Sequence, residues 1–276
     1  MKKILALPLL VVFCSGLFAQ SGDIKNLRFG GTILPSLYWY SPDDVKKFEG
    51  DGANVHFGVL INAEYSFSQN FAIGFGIGLS GGGGSIKFSD TAHYYFNDDA
   101  IIKLGDTNGL KAKYDHYKLN SRTYKATYYV LPISLKMRTN EIGHMRYFFQ
   151  PGVNIGIRQK VRADDNLSTL SKKVPGNGQL SSPGFGQTAS QTDLDISDDM
   201  ALFTFSAVIS AGAEYYLSGS TAVVFSLGYD YGLSNAVSGT SDYLFRTPYK
   251  SGGSDMHEIE QKFYQNGLIL SIGILF

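Results

Sequence analysis

The chain has 276 residues, with 24 Lys and Arg against 24 Asp and Glu and a single cysteine. A balanced charge offers no basic face to a nucleic acid, and one cysteine excludes a disulfide framework. A chain of this kind is held by backbone pairing and side-chain packing, which a closed barrel supplies because every strand pairs with two neighbours.

The first residues read as an export signal. Met1-Lys2-Lys3 is basic, Ile4 to Phe18 is mostly apolar, and Leu17-Phe18-Ala19 before Gln20 suits a signal peptidase. This divides the chain into a signal peptide, 1–19, and an outer-membrane β-barrel domain, 20–276. Pro8 interrupts the apolar run, which is shorter than the roughly 20 residues of a spanning helix. Phe13 precedes Cys14 where a lipoprotein signal requires a small residue. Loss of Lys2 and Lys3 leaves the mature chain slightly acidic.

Downstream, apolar and polar residues alternate in about eight stretches, each near the roughly 10 residues with which a tilted strand crosses a bilayer. The first, Leu27 to Tyr40, carries Phe29, Ile33, Leu37 and Trp39 on one face and Arg28, Thr32, Ser36 and Tyr38 on the other. A charged loop, Ser41 to Gly52, follows. In the second, Val55 to Phe67, every odd position is apolar, while His56, Asn62 and Glu64 share the opposite face. The third alternates Phe71, Ile73, Phe75, Ile77 and Leu79 with Ala72 and three glycines, which leave room inside a small barrel. Gly81 to Gly84 lacks the lysine and helix of a phosphate loop and reads as a flexible segment. The loop from Gly81 to Tyr124 extends strands three and four as a hairpin above the membrane.

Strand four, Lys125 to Thr139, turns Tyr129, Leu131, Ile133, Leu135 and Met137 outward, with Lys136 and Arg138 inward and a bulge expected at Pro132. Strand five sets Tyr147, Phe149, Val153, Ile155 and Ile157 against Gln150, Asn154 and Arg158. The segment Val161 to Asp198, rich in Ser, Gly, Gln, Asn and Asp, is expected to bury no core and to be mobile. Its Asp193, Asp195, Asp198 and Asp199 depart from the calcium-loop spacing and read as a solvated acidic loop. Strand six contributes Phe203, Phe205, Ile209, Ala213 and Tyr215. Strand seven contributes Val223, Phe225, Leu227, Tyr229 and Tyr231. Strand eight ends on Leu268, Leu270, Ile272, Ile274 and the terminal Phe276.

Turns after strands two, four and six are short and the other joins are long. The chain therefore reads as all-β, an eight-stranded antiparallel up-and-down transmembrane β-barrel with short periplasmic turns and long extracellular loops. Tyr38-Trp39-Tyr40, Tyr229 and Tyr231 form the outer aromatic girdle and Tyr65, Phe67, Phe71, Tyr147, Phe149, Tyr215 and Phe276 the inner one, with Tyr129 a further girdle residue. One repeat supports the parse: Ala63-Glu64-Tyr65 is matched by Ala213-Glu214-Tyr215, each ahead of a serine and a phenylalanine at the same spacing.

Inside the barrel, Arg28, Glu64, Lys136, Arg138 and Glu214 point inward near the periplasmic end and must pair. They read either as a permanent plug or as a gate whose ion pairs rearrange. His56, Arg158 and Asp230 face inward nearer the outer end, without a serine partner that would make a catalytic set. His93, His116 and His257 sit in loops without recognisable companions. No cofactor or metal is expected, and the chain is not expected to be an enzyme.

Leu270, Ile272, Ile274 and Phe276 resemble the carboxy-terminal signal by which outer-membrane barrels are recognised for insertion, which implies the barrel-assembly machinery as a partner. Tyr129-Val130-Leu131-Pro132-Ile133-Ser134-Leu135-Lys136 resembles a motif of the PorT-like outer-membrane barrel family of Bacteroidetes. Gly212-Ala213-Glu214-Tyr215, Tyr229-Asp230-Tyr231-Gly232-Leu233 and Gly273-Ile274-Leu275-Phe276 are similar to that family's later strands and ending. The resemblance implies an eight-stranded barrel at the outer membrane, in contact with lipid and lipopolysaccharide. Some relatives assist type IX secretion, so secretion-system proteins join the expected partners. The expected function is an integral outer-membrane barrel with external loops for envelope or partner contacts; the alternatives are a secretion accessory and a narrow solute channel.

Overall fold

The period-two alternation is realised as one sixteen-stranded sheet whose strand pairs are all antiparallel. The computed structural model describes residues 27–97, 100–107, 114–173, 180–181, 187–246 and 257–276; the expected signal peptide, 1–19, lies outside them. In chain order the strands are β1 (Leu27–Ile33), β2 (Ser36–Pro42), β3 (Phe48–Gly50), β4 (Asn54–His56), β5 (Gly58–Ser66), β6 (Phe71–Asn97), β7 (Ala100–Ile101) and β8 (Asp115–Arg138). There follow β9 (Met145–Lys173), β10 (Leu180–Ser181), β11 (Thr188–Asp195), β12 (Phe203–Ser218), β13 (Thr221–Gly232), β14 (Thr240–Arg246), β15 (His257–Glu260) and β16 (Phe263–Leu275).

Pairing runs β1-β5-β6-β8-β9-β12-β13-β16, and β16 also pairs with β1 through Gly30 opposite Leu275. The ladder thus closes on itself, which removes its free edges. Among the described residues, sixteen strands stand where the sequence predicts eight. The first expected strand is broken at Leu34-Pro35, because proline has no N–H to give to the ladder; β1 and β2 nevertheless keep β16 as a shared neighbour. The second is broken at Phe57 into β4 and β5. The remaining additions, β3, β7, β10, β11, β14 and β15, are short and attach to the long ends of β6 and β9 or to one another.

Around the half of the ring that carries the short turns, the burial pattern is that of a barrel with its oily side out. Ile61, Ile77, Leu227 and Ile209 are each more than half exposed, while Arg28, Glu64, Lys136 and Glu214 are buried. Such a belt of exposed aliphatic and aromatic residues is unstable in water and stable in hydrocarbon. The expected bulge at Pro132 is absent: Phe75 opposite Ile133 and Gly78 opposite Val130 keep one register across it. The nearest shift in β8 lies between Thr127 and Tyr128.

The other end differs from its sequence reading. β6, β8 and β9 are 27, 24 and 29 residues long, well over the roughly 9–11 that cross a bilayer. Their upper halves pair with each other and with β3 and β11. One face of this extension packs Tyr40, Phe88, Leu119, Tyr124, Leu167 and Phe263 into a continuous apolar core. The described parts of this segment, residues 161–173 and 187–198, are therefore not an uncored loop. Val161, Ala163, Leu167, Leu194 and Ile196 are all buried in that core; small and branched residues at alternate positions are enough to cover a sheet face even where the composition is polar.

Gly81 to Gly84 is likewise a paired stretch of β6, opposite Thr127 to Tyr124, rather than a flexible hinge. At Gly84 a Cβ would stand 2.7 Å from the Tyr40 backbone nitrogen. Only glycine lets β2 cross this close and deliver Tyr40 to the core, where its ring meets Tyr124 edge-on at 5.4 Å.

Candidate functional site

Period-two alternation puts Arg28, Glu64, Lys136, Arg138 and Glu214 on the inner face of four strands, and the register brings all five together near the turn end. Arg28 lies opposite Glu64 across the β1/β5 ladder, while β8 and β12 bring Lys136 and Glu214 from elsewhere in the ring. An Nη atom of Arg28 lies 2.6 Å from Glu64 Oε1 and 2.9 Å from Glu214 Oε2. Lys136 Nζ donates to Glu64 Oε2 at 2.6 Å and to Glu214 Oε1 at 2.9 Å. Arg138 completes the set, 3.2 Å from Glu64, and donates to the Ser66 hydroxyl at 2.6 Å.

Tyr216 was not singled out by the alternation, yet its hydroxyl donates to Glu214 at 2.9 Å and accepts from Arg28 at 3.2 Å. The signal available in the sequence was its place two residues after Glu214, on the same strand face. Lys136 also sits 4.7 Å from the centre of the Phe148 ring, a cation held against an aromatic face. Five charged groups joined by short bonds brace four strands at one level, and breaking any of them strands a buried charge.

Above this cluster the lumen holds a cavity of about 160 Å³, bordered by Asn62, Ser134, Gln150, Leu60 and Ile269. Gln150 donates to the Ser134 hydroxyl at 2.7 Å and Asn62 to Thr32. Higher still the lumen meets the aromatic core around Tyr40, Tyr124 and Phe263.

The second inward set does not assemble. Asp230 accepts from the Tyr38 hydroxyl at 3.0 Å and from Asn154 at 3.5 Å. Arg158 instead donates to the Met200 carbonyl at 2.6 Å, and the His56 ring packs beside Tyr38 at 6.1 Å. These three residues share a face but no bond, so they form no acid-base relay.

His93 and His116, expected in loops, lie instead in β6 and β8, and they meet. Across the upper β6/β8 ladder, His93 Nδ1 lies 3.1 Å from His116 Nε2, and Phe245 of β14 stacks on both rings at 5.8 Å. Burial lowers both pKa values to about 4, helped by Lys118 beside His93 and by His93 beside His116. Each imidazole is neutral at pH 7. His257 is exposed on β15, across the ladder from Arg246.

The acidic run is dispersed. Arg162 reaches Asp193 at 3.3 Å and Asp195 at 2.5 Å, and Lys103 reaches Asp198 at 2.5 Å. Asp199 is buried, accepting from the Ser241 hydroxyl at 2.5 Å and the Asp242 N–H at 2.7 Å, and burial raises its pKa. Among the described residues no group of three or more His, Cys, Asp or Glu is placed to hold a metal.

Of the aromatic positions, Tyr65, Phe67, Phe71, Tyr147, Phe149 and Tyr215 are exposed at the turn end, and Phe67 and Phe71 stack at 6.2 Å. Tyr129 and Tyr231 are exposed nearer the loop end, where Trp39 and Tyr229 are neighbours at 6.2 Å. Leu270 and Ile274 are exposed on β16, with Ile272 partly so, and Phe276 is exposed just after it; the Phe276 backbone bonds both ways with Phe29, at 2.8 and 3.0 Å.

No curated protein matches the chain. Among solved structures it is similar to Neisserial surface protein A, with 11% identity, 90% of this chain and 95% of that one covered, and a TM-score of 0.39. It is also similar to Ail, the attachment invasion locus protein of Yersinia pestis, with 11% identity, coverage of 91% and 99%, and a TM-score of 0.33. The outer membrane protein OprG from Pseudomonas aeruginosa gives 11% identity, coverage of 90% and 96%, and a TM-score of 0.33. The family described as outer membrane protein beta-barrel domain matches residues 18–238. With that match across most of its length, an antiparallel sheet closed on itself and an apolar belt turned outward, the chain belongs to the outer membrane β-barrel domain family and resides in the outer membrane.

Proposed function

We propose that this protein is a non-enzymatic, non-conducting outer-membrane barrel of eight staves whose extracellular β-structure is its working part, presented to an external partner or to the envelope. β1 with β2 makes one stave and β4 with β5 another; β6, β8, β9, β12, β13 and β16 supply the rest. The observation that carries the reading is the Arg122–Asp165 pair. Arg122 donates two bonds of 2.7 Å to the two Asp165 oxygens, and both side chains are fully buried above the barrel. A bidentate pair at such depth requires a fixed, water-excluding scaffold around it, the kind of rigid platform on which recognition surfaces are built.

The test is planar-bilayer recording on the purified chain beside a surface-exposure assay. Silence across the voltage range together with a folded extracellular part supports the reading. Discrete openings that change in Glu64→Gln or Glu214→Gln favour the solute-channel alternative.

The stretch Tyr129 to Lys136, which resembles PorT-like barrels, also supports a second reading, an accessory of a type IX-like secretion apparatus. It runs from a lipid-facing tyrosine to the lysine of the lumenal cluster. Mild extraction that recovers secretion proteins, with export lost on deletion, would favour it.

A further inference from the structure

The charge cluster does not balance. Arg28, Lys136 and Arg138 stand against Glu64 and Glu214, which leaves one formal positive charge in excess. Just beyond it lies a fourth cation, Arg146, whose own partner Glu141 is 3.4 Å away and largely solvated. Arg28 and Arg146 approach one tyrosine: their guanidinium carbons are 5.9 and 5.3 Å from the centre of the Tyr216 ring. Two guanidiniums drawn to one ring repel each other unless an anion joins them.

The same residues border a recess of about 580 Å³ that opens at the turn end, where Arg28, Arg138 and Arg146 meet the hydroxyls of Ser66, Ser68 and Tyr216. The Nε atoms of all three arginines are shielded from solvent and find no hydrogen-bond acceptor among the described residues, with Arg28 and Arg138 each 7% exposed, so contacts to a group in the recess fall to the other guanidinium nitrogens and the hydroxyls. Unsatisfied charged donors inside a structure are costly. Phe67 and Leu217, both exposed to the membrane side, form part of the same rim, so the recess sits at the height of the interfacial aromatics and of lipid headgroups.

From this geometry we infer that the turn-end recess is a binding site for a phosphate group, supplied either by an inner-leaflet phospholipid or by free phosphate in the periplasm. Arginine suits such a ligand because its planar donors match phosphate oxygens in pairs, and the neighbouring hydroxyls supply further donors. Such a site is separate from the proposed extracellular role and stands or falls without it.

The full mature chain, refolded in a phosphate-free glucoside detergent, is titrated at constant ionic strength with inorganic phosphate and, separately, with dihexanoylphosphatidylglycerol. Saturable binding is expected, weakened roughly tenfold in Arg146→Gln, the loss of one charge-assisted contact. Glu141→Gln, which releases Arg146, is expected to strengthen binding a few-fold, and it is the second variant should Arg146→Gln fail to fold by gel mobility. Binding of both probes identifies a general phosphate site; binding of the lipid alone identifies a headgroup site. No saturable binding of either probe, or affinities that ignore both substitutions, overturns the inference.

Discussion

Glu64 and Glu214 hold the same lysine: Lys136 Nζ is 2.6 Å from the first and 2.9 Å from the second. The two glutamates occupy equivalent positions of the Ala-Glu-Tyr repeat, and closure of the ring brings them to one level from β5 and β12. The repeat is therefore a matched pair of arms on one buried cation. Replacing either glutamate by glutamine leaves excess positive charge at a dry position. Each single variant is expected to lose about 3–5 kcal/mol of stability, read as a lower urea midpoint for unfolding from lipid vesicles. A midpoint within error of wild type would show that the cluster contributes nothing to holding the barrel.

Removing the Arg122–Asp165 pair separates breakage from replacement. Asp165→Asn leaves a buried guanidinium with one neutral acceptor and is expected to cost about 3–5 kcal/mol, whereas Arg122→Met combined with Asp165→Leu is expected to lie near wild type. Protease protection of the strand extensions beyond the barrel measures both. Equal damage from the single and the double change would show that the charges themselves, rather than the filled volume, hold that core.

The histidine pair sets a pH window. Both His93 and His116 titrate near 4 when folded, against about 6.5 when unfolded. A base whose pKa is depressed by folding binds protons better unfolded, so stability is full above about 6.5 and falls as pH drops toward 4. Asp164, Asp195 and Asp198, whose pKa values are lowered, act only below their ordinary value near 3.8. Asp199, shifted upward by burial, opposes the trend. Amide exchange in β14, which stacks Phe245 on both rings, is expected, once corrected for the pH dependence of the intrinsic exchange rate, to rise as the pH falls from 6.5 to 4.5, and the rise is expected to shrink in a His116→Phe variant. Exchange that is flat across that interval would sink the idea.

Gly84→Ala tests the crossing of β2 over β6. With its Cβ 2.7 Å from the Tyr40 nitrogen, β2 must shift and loosen Tyr40 from Tyr124 and Phe263. A loss of about 1–3 kcal/mol is expected, the usual cost of overpacking, while Gly239→Ala, whose Cβ meets nothing within 4 Å, serves as the neutral control. Chemical unfolding of the two variants in parallel decides it.

The lumenal cluster was legible because its determinants are local. Alternation fixes which face a residue takes, and short turns fix which end of the barrel it is near, so Arg28, Glu64, Lys136, Arg138 and Glu214 are gathered by arithmetic on the chain. His93 and His116 were not, because their meeting depends on a register shift between Lys87 and Ala92 in the β6/β8 ladder, which no pattern announces. The segment 161–198 was misread because its polar composition masked Val161, Ala163 and Leu167 at alternate positions. Likewise, Gly81 to Gly84 looks the same in sequence whether it is a hinge or a close crossing; the distinction lies in Tyr40, more than forty residues earlier.

The outer core draws on β2, β3, β6, β8, β9, β11 and β16, and membrane-crossing stretches divide β3 from the upper part of β6, the upper part of β8 from that of β9, and β11 from β16. Such a core has no way to condense before its contributors have all been threaded to the far side. Once it has, pulling any hairpin back would mean dragging Leu119, Tyr124 or Leu167 out of a dry interior and through lipid with their partners lost. With that end facing outward, as proposed above, the packing works as a ratchet on insertion, making the direction in which the chain was delivered irreversible after the fact.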